Sequence, residues 1–286
     1  MQRNIAAAAA DLAEIAAHHE VIVTHGNGPQ IGLLALQAEA YPEVPAYPLD
    51  VLGAESEGMI GYLIEREIAN HLSGREICSL LTRVVVDPQD PAFGAPDKPI
   101  GPVYDRATAQ ELAAQRGWTV AQDGDHYRRV VASPLPQRIL EIRAIRLLVE
   151  QGVTVVCAGG GGIPIVLAEG GALAGVEAVI DKDWTSALLA REVKADVLLL
   201  LTDVDAVYRD WGTADQRPIR RARPAALRAL DFAPGSMGPK VSAACAFAES
   251  AQSFAGIGRL DQTSAVLQRR AGTIVTREAR GITLAN

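Results

Sequence analysis

Val153-Thr-Val-Val-Cys-Ala-Gly-Gly-Gly-Gly-Ile-Pro164 is the stretch on which the reading of this chain turns. An apolar, β-branched run of six residues has the signature of a buried strand. The four glycines behind it make a turn in which main chain, not side chain, faces outward. Amides exposed on such a turn at the carboxyl end of a strand form a nest of partial positive charge, and the missing Cβ atoms let an anion approach. A strand-to-loop turn without a ligand is the plainer reading, and the rest of the chain has to separate the two.

Upstream, residues 4–18 form an alanine-rich helix with Ile5, Leu12 and Ile15 on one face. Val21-Ile-Val-Thr24 is a short strand, followed by His25-Gly-Asn-Gly-Pro-Gln-Ile-Gly32 and a helical run over 33–40. Pro29 suits a first helical turn, and Gly26, Asn27 and Gly28 offer N–H groups and a side-chain amide to a small oxyanion. After a proline-rich loop at 41–50, residues 51–72 read as a long helix. Ile60, Leu63, Ile64 and Ile68 lie inward, with Glu55, Glu57, Glu65 and Glu67 on the solvated side. One strand is expected over 77–86. Residues 87–102 carry five prolines and two glycines, which excludes helix and central strand and predicts a stiff, shaped arm. Its one basic residue, Lys98, reads from the residues alone as an ordinary solvated lysine.

A helix over 108–116 and a hairpin over 118–131 about Asp123-Gly124 complete an inserted subdomain of about 87–136. The next helix is expected over 137–151. Downstream of the glycine turn, residues 176–180 lead into Asp181-Lys-Asp183 and a helix over 184–193 capped by Asp183 or Thr185. Residues 195–201 read as a central parallel strand buried on both faces, ending in Thr202-Asp-Val-Asp-Ala-Val-Tyr208, where open α/β sheets bind ligands. Residues 210–223 read as a polar, arginine-rich loop and 225–230 as a short helix. Pro234-Gly-Ser-Met-Gly-Pro-Lys240 precedes a helix over 241–250, last strands lie at 254–257 and 273–275, and the tail from 277 carries no pattern.

Composition narrows the classes. With 286 residues, 49% of them hydrophobic, the chain can build a substantial core, and a net charge of −7 argues against a general nucleic-acid binder. No run is long and apolar enough for a membrane span. Acidic residues interrupt the alanine-rich start before it could serve as a secretory signal, so a cytoplasmic protein is expected. Cys78, Cys157 and Cys245 are scattered, with no CxxC pair and no histidine cluster to hold a metal. GxxxxGK[ST], GxGxxG and GxSxG are absent, as is a Ser/His/Asp set. What remains is repeated strand–glycine–helix units with lysines at 98, 182 and 240. Phosphoryl transfer needs chiefly positioning and cancellation of negative charge, and these parts can supply both.

His25-Gly-Asn-Gly-Pro-Gln30, Gly159-Gly-Gly-Gly-Ile-Pro164, Val179-Ile-Asp-Lys-Asp183, Leu201-Thr-Asp-Val-Asp-Ala-Val-Tyr208 and Gly235-Ser-Met-Gly-Pro-Lys240, in this order, resemble the carbamate kinases of the amino-acid kinase superfamily. The resemblance runs from about residue 4 to 275. It implies a three-layer α/β/α sandwich with a mostly parallel central sheet, a homodimer, and interconversion of ATP plus carbamate with ADP plus carbamoyl phosphate using Mg²⁺. It also implies an acceptor lobe over 1–150 and a nucleotide lobe over 151–286. By motif, Lys182 and Lys240 would neutralise the transferring group, Asp183 would orient them, and Lys98 would reach over the substrate from the protruding subdomain. Gly26, Asn27, Gly28, Gly159, Gly160 and Gly161 would hold the carbamoyl phosphate end. Asp181, Thr202, Asp203, Tyr208, Met237 and Gly238 would border the nucleotide, and no protein ligand to the metal is expected. Members of the family open with a strand and a Gly-Gly-Asn turn ahead of the first helix, whereas this sequence starts inside that helix. An upstream start is therefore expected, the alternative being a truncated, catalytically impaired nucleotide-binding form. A relative phosphorylating another carboxylate or a phosphonate is a further alternative, against which the Lys98 arm and the His25–Gln30 motif weigh.

Overall fold

Short runs of Val, Ile and Leu alternate along the chain with longer runs rich in Ala, Leu and Glu, and the alternation builds strands covered by helices. The computed structural model describes residues 2–41, 43, 45–232, 237–250 and 253–285. The first part contains α1 (Gln2–His18), β1 (Ile22–Val23), α2 (Gly28–Glu39), α3 (Leu49–Ala69), β2 (Ile77–Ser79) and β3 (Arg83–Val86). The subdomain follows with β4 (Lys98–Tyr104), α4 (Arg106–Arg116), β5 (Thr119–Asp123) and β6 (His126–Val131). Then come β7 (Pro136–Ile139), α5 (Ile142–Glu150), β8 (Thr154–Val156), β9 (Ile163–Leu167), β10 (Leu173–Gly175) and α6 (Lys182–Glu192). The last part holds β11 (Val197–Thr202), β12 (Val207–Arg209), β13 (Arg217–Ala222), α7 (Pro224–Arg228), α8 (Met237–Ser250), β14 (Phe254–Arg259), α9 (Thr263–Leu267), β15 (Thr273–Val275) and β16 (Ile282–Leu284).

Parallel ladders join β8 to β1 and β2, β3 to β9, β11 to β14 and β13 to β15. Antiparallel partners add to them: β7 and β10 flank β3–β9, and β12 and β16 pair with β13. The two-residue period of β8 sends Val156 toward α1 and α3, where Ala9, Ala13, Ala16, Ile60, Ile64 and Ile68 are buried. Val155 and Cys157 go to the other face, against Ile145 of α5 and Leu188 and Leu189 of α6. This is the three-layer α/β/α sandwich expected. Helix α6 also turns Ala187 and Ala190 into a second core, built on α8 (Ala244, Phe247), β11 (Leu198, Leu200) and β14 (Ala255, Ile257). It is thus wedged between the two cores. Cys157 and Cys245 are buried and Cys78 half-buried, all as free thiols.

The structure corrects several expectations. Residues 77–86 are two strands in different sheets, because the chain turns at Thr82, whose hydroxyl donates to the Leu80 carbonyl. The helix expected from 137 begins at Ile142: residues 136–139 pair with β3 as β7, and Glu141 caps the junction by accepting from the Arg83 amide. The polar stretch 210–223 contains β13, whose backbone ladders with β12, β15 and β16, so its arginines project from a strand, not from a loop. β16 gives the tail a place. Strand β11 stands at the end of its sheet's order, with Leu198 and Leu200 buried and Leu199 and Leu201 half-buried. A lobe boundary at 150 does not follow the strands, since β8 and β9, both after it, fold with β1, β2 and β3. The subdomain sheet β4-β6-β5 is antiparallel, and β4, rich in proline, takes an edge as it must.

Candidate active site

The head of α6 gathers the charges. Asp181 is its N-cap, Oδ1 accepting from the amides of Asp183 at 2.9 Å and Trp184 at 3.4 Å. The cap is therefore neither Asp183 nor Thr185, as the sequence suggests. The other carboxylate oxygen of Asp181 accepts from Lys98 Nζ at 2.5 Å, which brings the arm's lysine onto the body of the protein. Asp181, expected beside the nucleotide, is thus occupied by the cap and by Lys98.

Asp183 is buried, with 5% of its surface exposed, and accepts from Lys240 Nζ at 3.1 Å on both oxygens and from Lys182 Nζ at 3.3 Å. Lys240, 6% exposed, comes from α8. Three ammonium groups therefore meet two carboxylates, leaving one positive charge uncompensated where three elements converge. Burial lowers the Lys240 pKa, and the Lys182 charge pushes the same way, both opposed by Asp183. Burial pushes the Asp181 carboxyl up, but the Lys98 ammonium, helped by Lys182 and the Asp183 amide, outweighs it and holds the group below the ordinary value.

The loop after β1 faces this cluster. An added Cβ on Gly26 would lie 3.3 Å from Lys182 Cδ. Asn27 is 4% exposed, and its side-chain amide donates to Ser56 Oγ at 2.8 Å. Gly28 opens α2, and Thr24 Oγ1 bonds Ser186 Oγ of α6 at 2.8 Å.

The glycine turn does not present an empty nest of amides. Gly159 N donates to Glu57 Oε1 at 2.9 Å, Gly160 N to the His25 carbonyl at 2.7 Å, and Gly161 N to the Ala158 carbonyl at 3.2 Å. Glycine is required for a different reason. A Cβ would lie 2.2 Å from His25 Nε2 at Gly159, 2.1 Å from Asn27 Nδ2 at Gly160 and 2.3 Å from the Ile180 carbonyl at Gly161. Gly160 and Gly161 also have φ of +67° and +101°. The turn lets the His25–Asn27 loop and the approach to α6 close on one another, and Thr185 Oγ1 ties α6 to it through the Gly161 carbonyl at 2.9 Å.

Past the end of β11, Thr202 Oγ1 donates to Asp203, and Tyr208 donates to Asp205 and stacks edge-on against Trp211 at 5.0 Å. Met237 and Gly238 begin α8, whose first turn also carries Lys240; Gly235 and Ser236 lie outside the described residues. These groups border the end of β11 and the start of α8, and among the described residues their side-chain hydrogen bonds do not run to the lysine cluster.

Sequence reasoning missed Glu57. Assigned to a solvated face, it is 3% exposed, and burial raises its pKa to about 7 despite amide bonds from Thr82 and Gly159 that lower it. The signal was available: Gly53, Glu57, Ile60, Gly61, Ile64 and Ile68 recur at three and four residues on the buried side of α3.

The model of the amino acid kinase family matches residues 2–254. The chain belongs to this family, on its carbamate kinase branch. It is 51% identical over 282 residues to a carbamate kinase of Haemophilus influenzae, covering 98% of this chain and 91% of that one. It is 51% identical over 285 residues to one of Rhizobium meliloti, covering 99% and 88%. Carbamate kinase from Giardia lamblia bound to AMP-PNP superposes with a TM-score of 0.86 at 36% identity, over 96% of this chain and 90% of that one. Of the residues expected in the site, the fold pairs Lys98 with Asp181, and Lys182 and Lys240 with Asp183.

Proposed function

We propose that the chain is a phosphotransferase interconverting ATP plus carbamate with ADP plus carbamoyl phosphate. The observation that carries this reading is the cluster at the head of α6, where Lys98, Lys182 and Lys240 meet Asp181 and Asp183. In the direction of ATP formation, an oxygen of the ADP terminal phosphate attacks the phosphorus of carbamoyl phosphate. The bond from phosphorus to the carbamate oxygen breaks, and carbamate leaves as an anion. Both nucleophile and leaving group are already anionic, so no general base is required, and the chain's work is positioning and charge cancellation. Asp183 would hold the Lys182 and Lys240 ammonium groups at the transferring phosphoryl, and Lys98, released from Asp181, would cover it from the subdomain. Gly26, Asn27 and Gly28 would face the carbamate end, with Gly159, Gly160 and Gly161 as the wall behind them. Thr202, Asp203, Tyr208, Met237 and Gly238 would border the nucleotide.

The chemistry Mg²⁺ would supply is further positive charge against the phosphates of the nucleotide. Among the described residues no three His, Cys, Asp or Glu side chains converge to hold a metal, and a cation that keeps most of its water suits such a site. The protein is proposed to act as a cytoplasmic homodimer on small molecules alone, with neither nucleic acid nor membrane as partner. Among the described residues, no helix is long and apolar enough to cross a membrane.

The test is ATP formation from ADP and carbamoyl phosphate, followed through a coupled reaction. Lys182→Ala is expected to lower kcat by about two orders of magnitude or more while still binding ADP and keeping its circular dichroism. Wild-type protein that binds ADP but makes no ATP would defeat the proposal.

A further inference from the structure

Among the described residues, Glu57 is the one strongly buried carboxylate whose place the reaction does not explain. It projects from the middle of α3, and its two oxygens are divided between two loops: Oε1 accepts from Gly159 N at 2.9 Å and Oε2 from Thr82 N at 3.2 Å. Both loops leave strands of the central layer and return toward the site. Thr82 fixes the glycine turn a second time, its hydroxyl accepting from Ala158 N at 2.9 Å and its carbonyl from Ile163 N at 2.8 Å. The turn so held receives His25 through the bond from Gly160 N to the His25 carbonyl, and α6 through the bond from Thr185 to the Gly161 carbonyl. Next to Glu57 on α3, Ser56 accepts from Asn27 and donates to the Gly53 carbonyl. One turn of α3 thus anchors the turn at 159–162, the loop at 25–28 and, through them, the head of α6.

We propose that Glu57 is a positioning residue of the phosphoryl-transfer site, whose charged carboxylate holds the glycine turn in register with Asn27 and Lys182 by accepting one backbone amide from each of two loops. What it positions rests on the function proposed above; its hold on the two amides does not. A charged carboxylate accepts both amides at full strength, whereas the protonated group keeps one carbonyl acceptor and offers the other amide only a weakly accepting, proton-bearing hydroxyl oxygen. The groups facing it are few. Burial lowers the pKa of His25, on the loop after β1, which keeps its ring neutral, and burial pushes the Cys157 thiol up. Glu141, ahead of α5, is engaged by Arg83 at 2.7 Å. With a pKa of about 7, Glu57 is then the group among these that changes charge near neutrality.

The first measurement needs no substrate. In ¹⁵N-labelled full-length protein, the Gly159 and Thr82 amide resonances are expected to move together with pH about one midpoint near 7, and to stand still over the same range in Glu57→Gln. Independent midpoints, or titration surviving in the variant, would overturn the clamp. The second measurement is ATP formation from ADP and carbamoyl phosphate against pH. Wild-type kcat is expected to fall on the acid side about the same midpoint while the KM for ADP holds. Glu57→Gln, which turns an NH₂ group toward one of the amides, is expected to lose that acid limb and to run about tenfold to a hundredfold slower on the alkaline side. A variant with wild-type kcat and the acid limb intact would refute the positioning role. Absence of turnover by the wild type would count against the function itself, and the amide titration would still decide whether Glu57 holds the turn.

Discussion

A charged carboxylate at position 57 costs the fold stability even as it orders the turn. Its folded pKa is about 7 against an ordinary 4.5, so the folded state binds the proton more tightly than the unfolded state. The sign follows: this group's contribution is complete below about pH 4.5, is lost as pH rises, and levels off above about 7. The loss amounts to about 3 kcal/mol. Denaturant unfolding of wild type and Glu57→Gln across this range checks it: the wild type should lose stability relative to the variant as pH rises, and parallel curves would contradict the assignment. A second residue of consequence is Gly32 in α2, which crosses Gly101 of β4, itself at φ +73°. A Cβ at Gly32 would lie 1.9 Å from Gly101 Cα, backbone against helix, so β4 must shift and carry Lys98 with it. Gly32→Ala is expected to lower kcat by about a hundredfold with helix content by circular dichroism unchanged; unchanged kcat would show the arm indifferent to this crossing.

Helix α6 draws its role from its first turn. Asp181 both caps it and pairs with Lys98, and two substitutions separate these tasks. Asp181→Asn keeps an acceptor for the Asp183 and Trp184 amides, whereas Asp181→Ala removes it and should cost about 1 kcal/mol more in equilibrium unfolding. Equal stabilities for the two variants would assign the residue to the ion pair alone. Elements of this kind were legible in the sequence because their signals are local. The strand before the glycines of 159–162, Pro29 opening α2 and the helix that follows Asp181-Lys-Asp183 each carry their meaning within a few residues, although the cap lies at Asp181 and not at Asp183 or Thr185. The elements that were misread depend on distant partners. Residues 136–139 become a strand through pairing with β3, and 217–222 through three partners, including a tail that shows no pattern of its own. Thr82 breaks one expected strand into two where a distant side chain, Glu57, receives its amide.

At the scale of the molecule, the motifs named three lysines that the fold gathers at the head of α6, but not how the glycines are used beside them. Gly-rich turns predict free amides, and here three are committed within the protein, a fact that depends on His25, Ala158 and Glu57 converging from separate elements. The same convergence makes α6 the mechanical link between two cores, Leu188 and Leu189 in one and Ala187 and Ala190 in the other. Damage to its packing should therefore reach the lysine cluster, while equal damage elsewhere should not. Leu189→Ala and Ile68→Ala each empty a buried site, the first on α6 and the second at the far end of α3 against α1. Each is expected to cost about 2–5 kcal/mol in denaturant unfolding. They should differ in turnover measured well below the unfolding transition. Leu189→Ala, which loosens the helix carrying Lys182 and Asp183, should lower kcat by about tenfold or more, and Ile68→Ala should leave it near wild type. Equal kcat values at matched stability would mean that the two cores meet at α6 without setting its position.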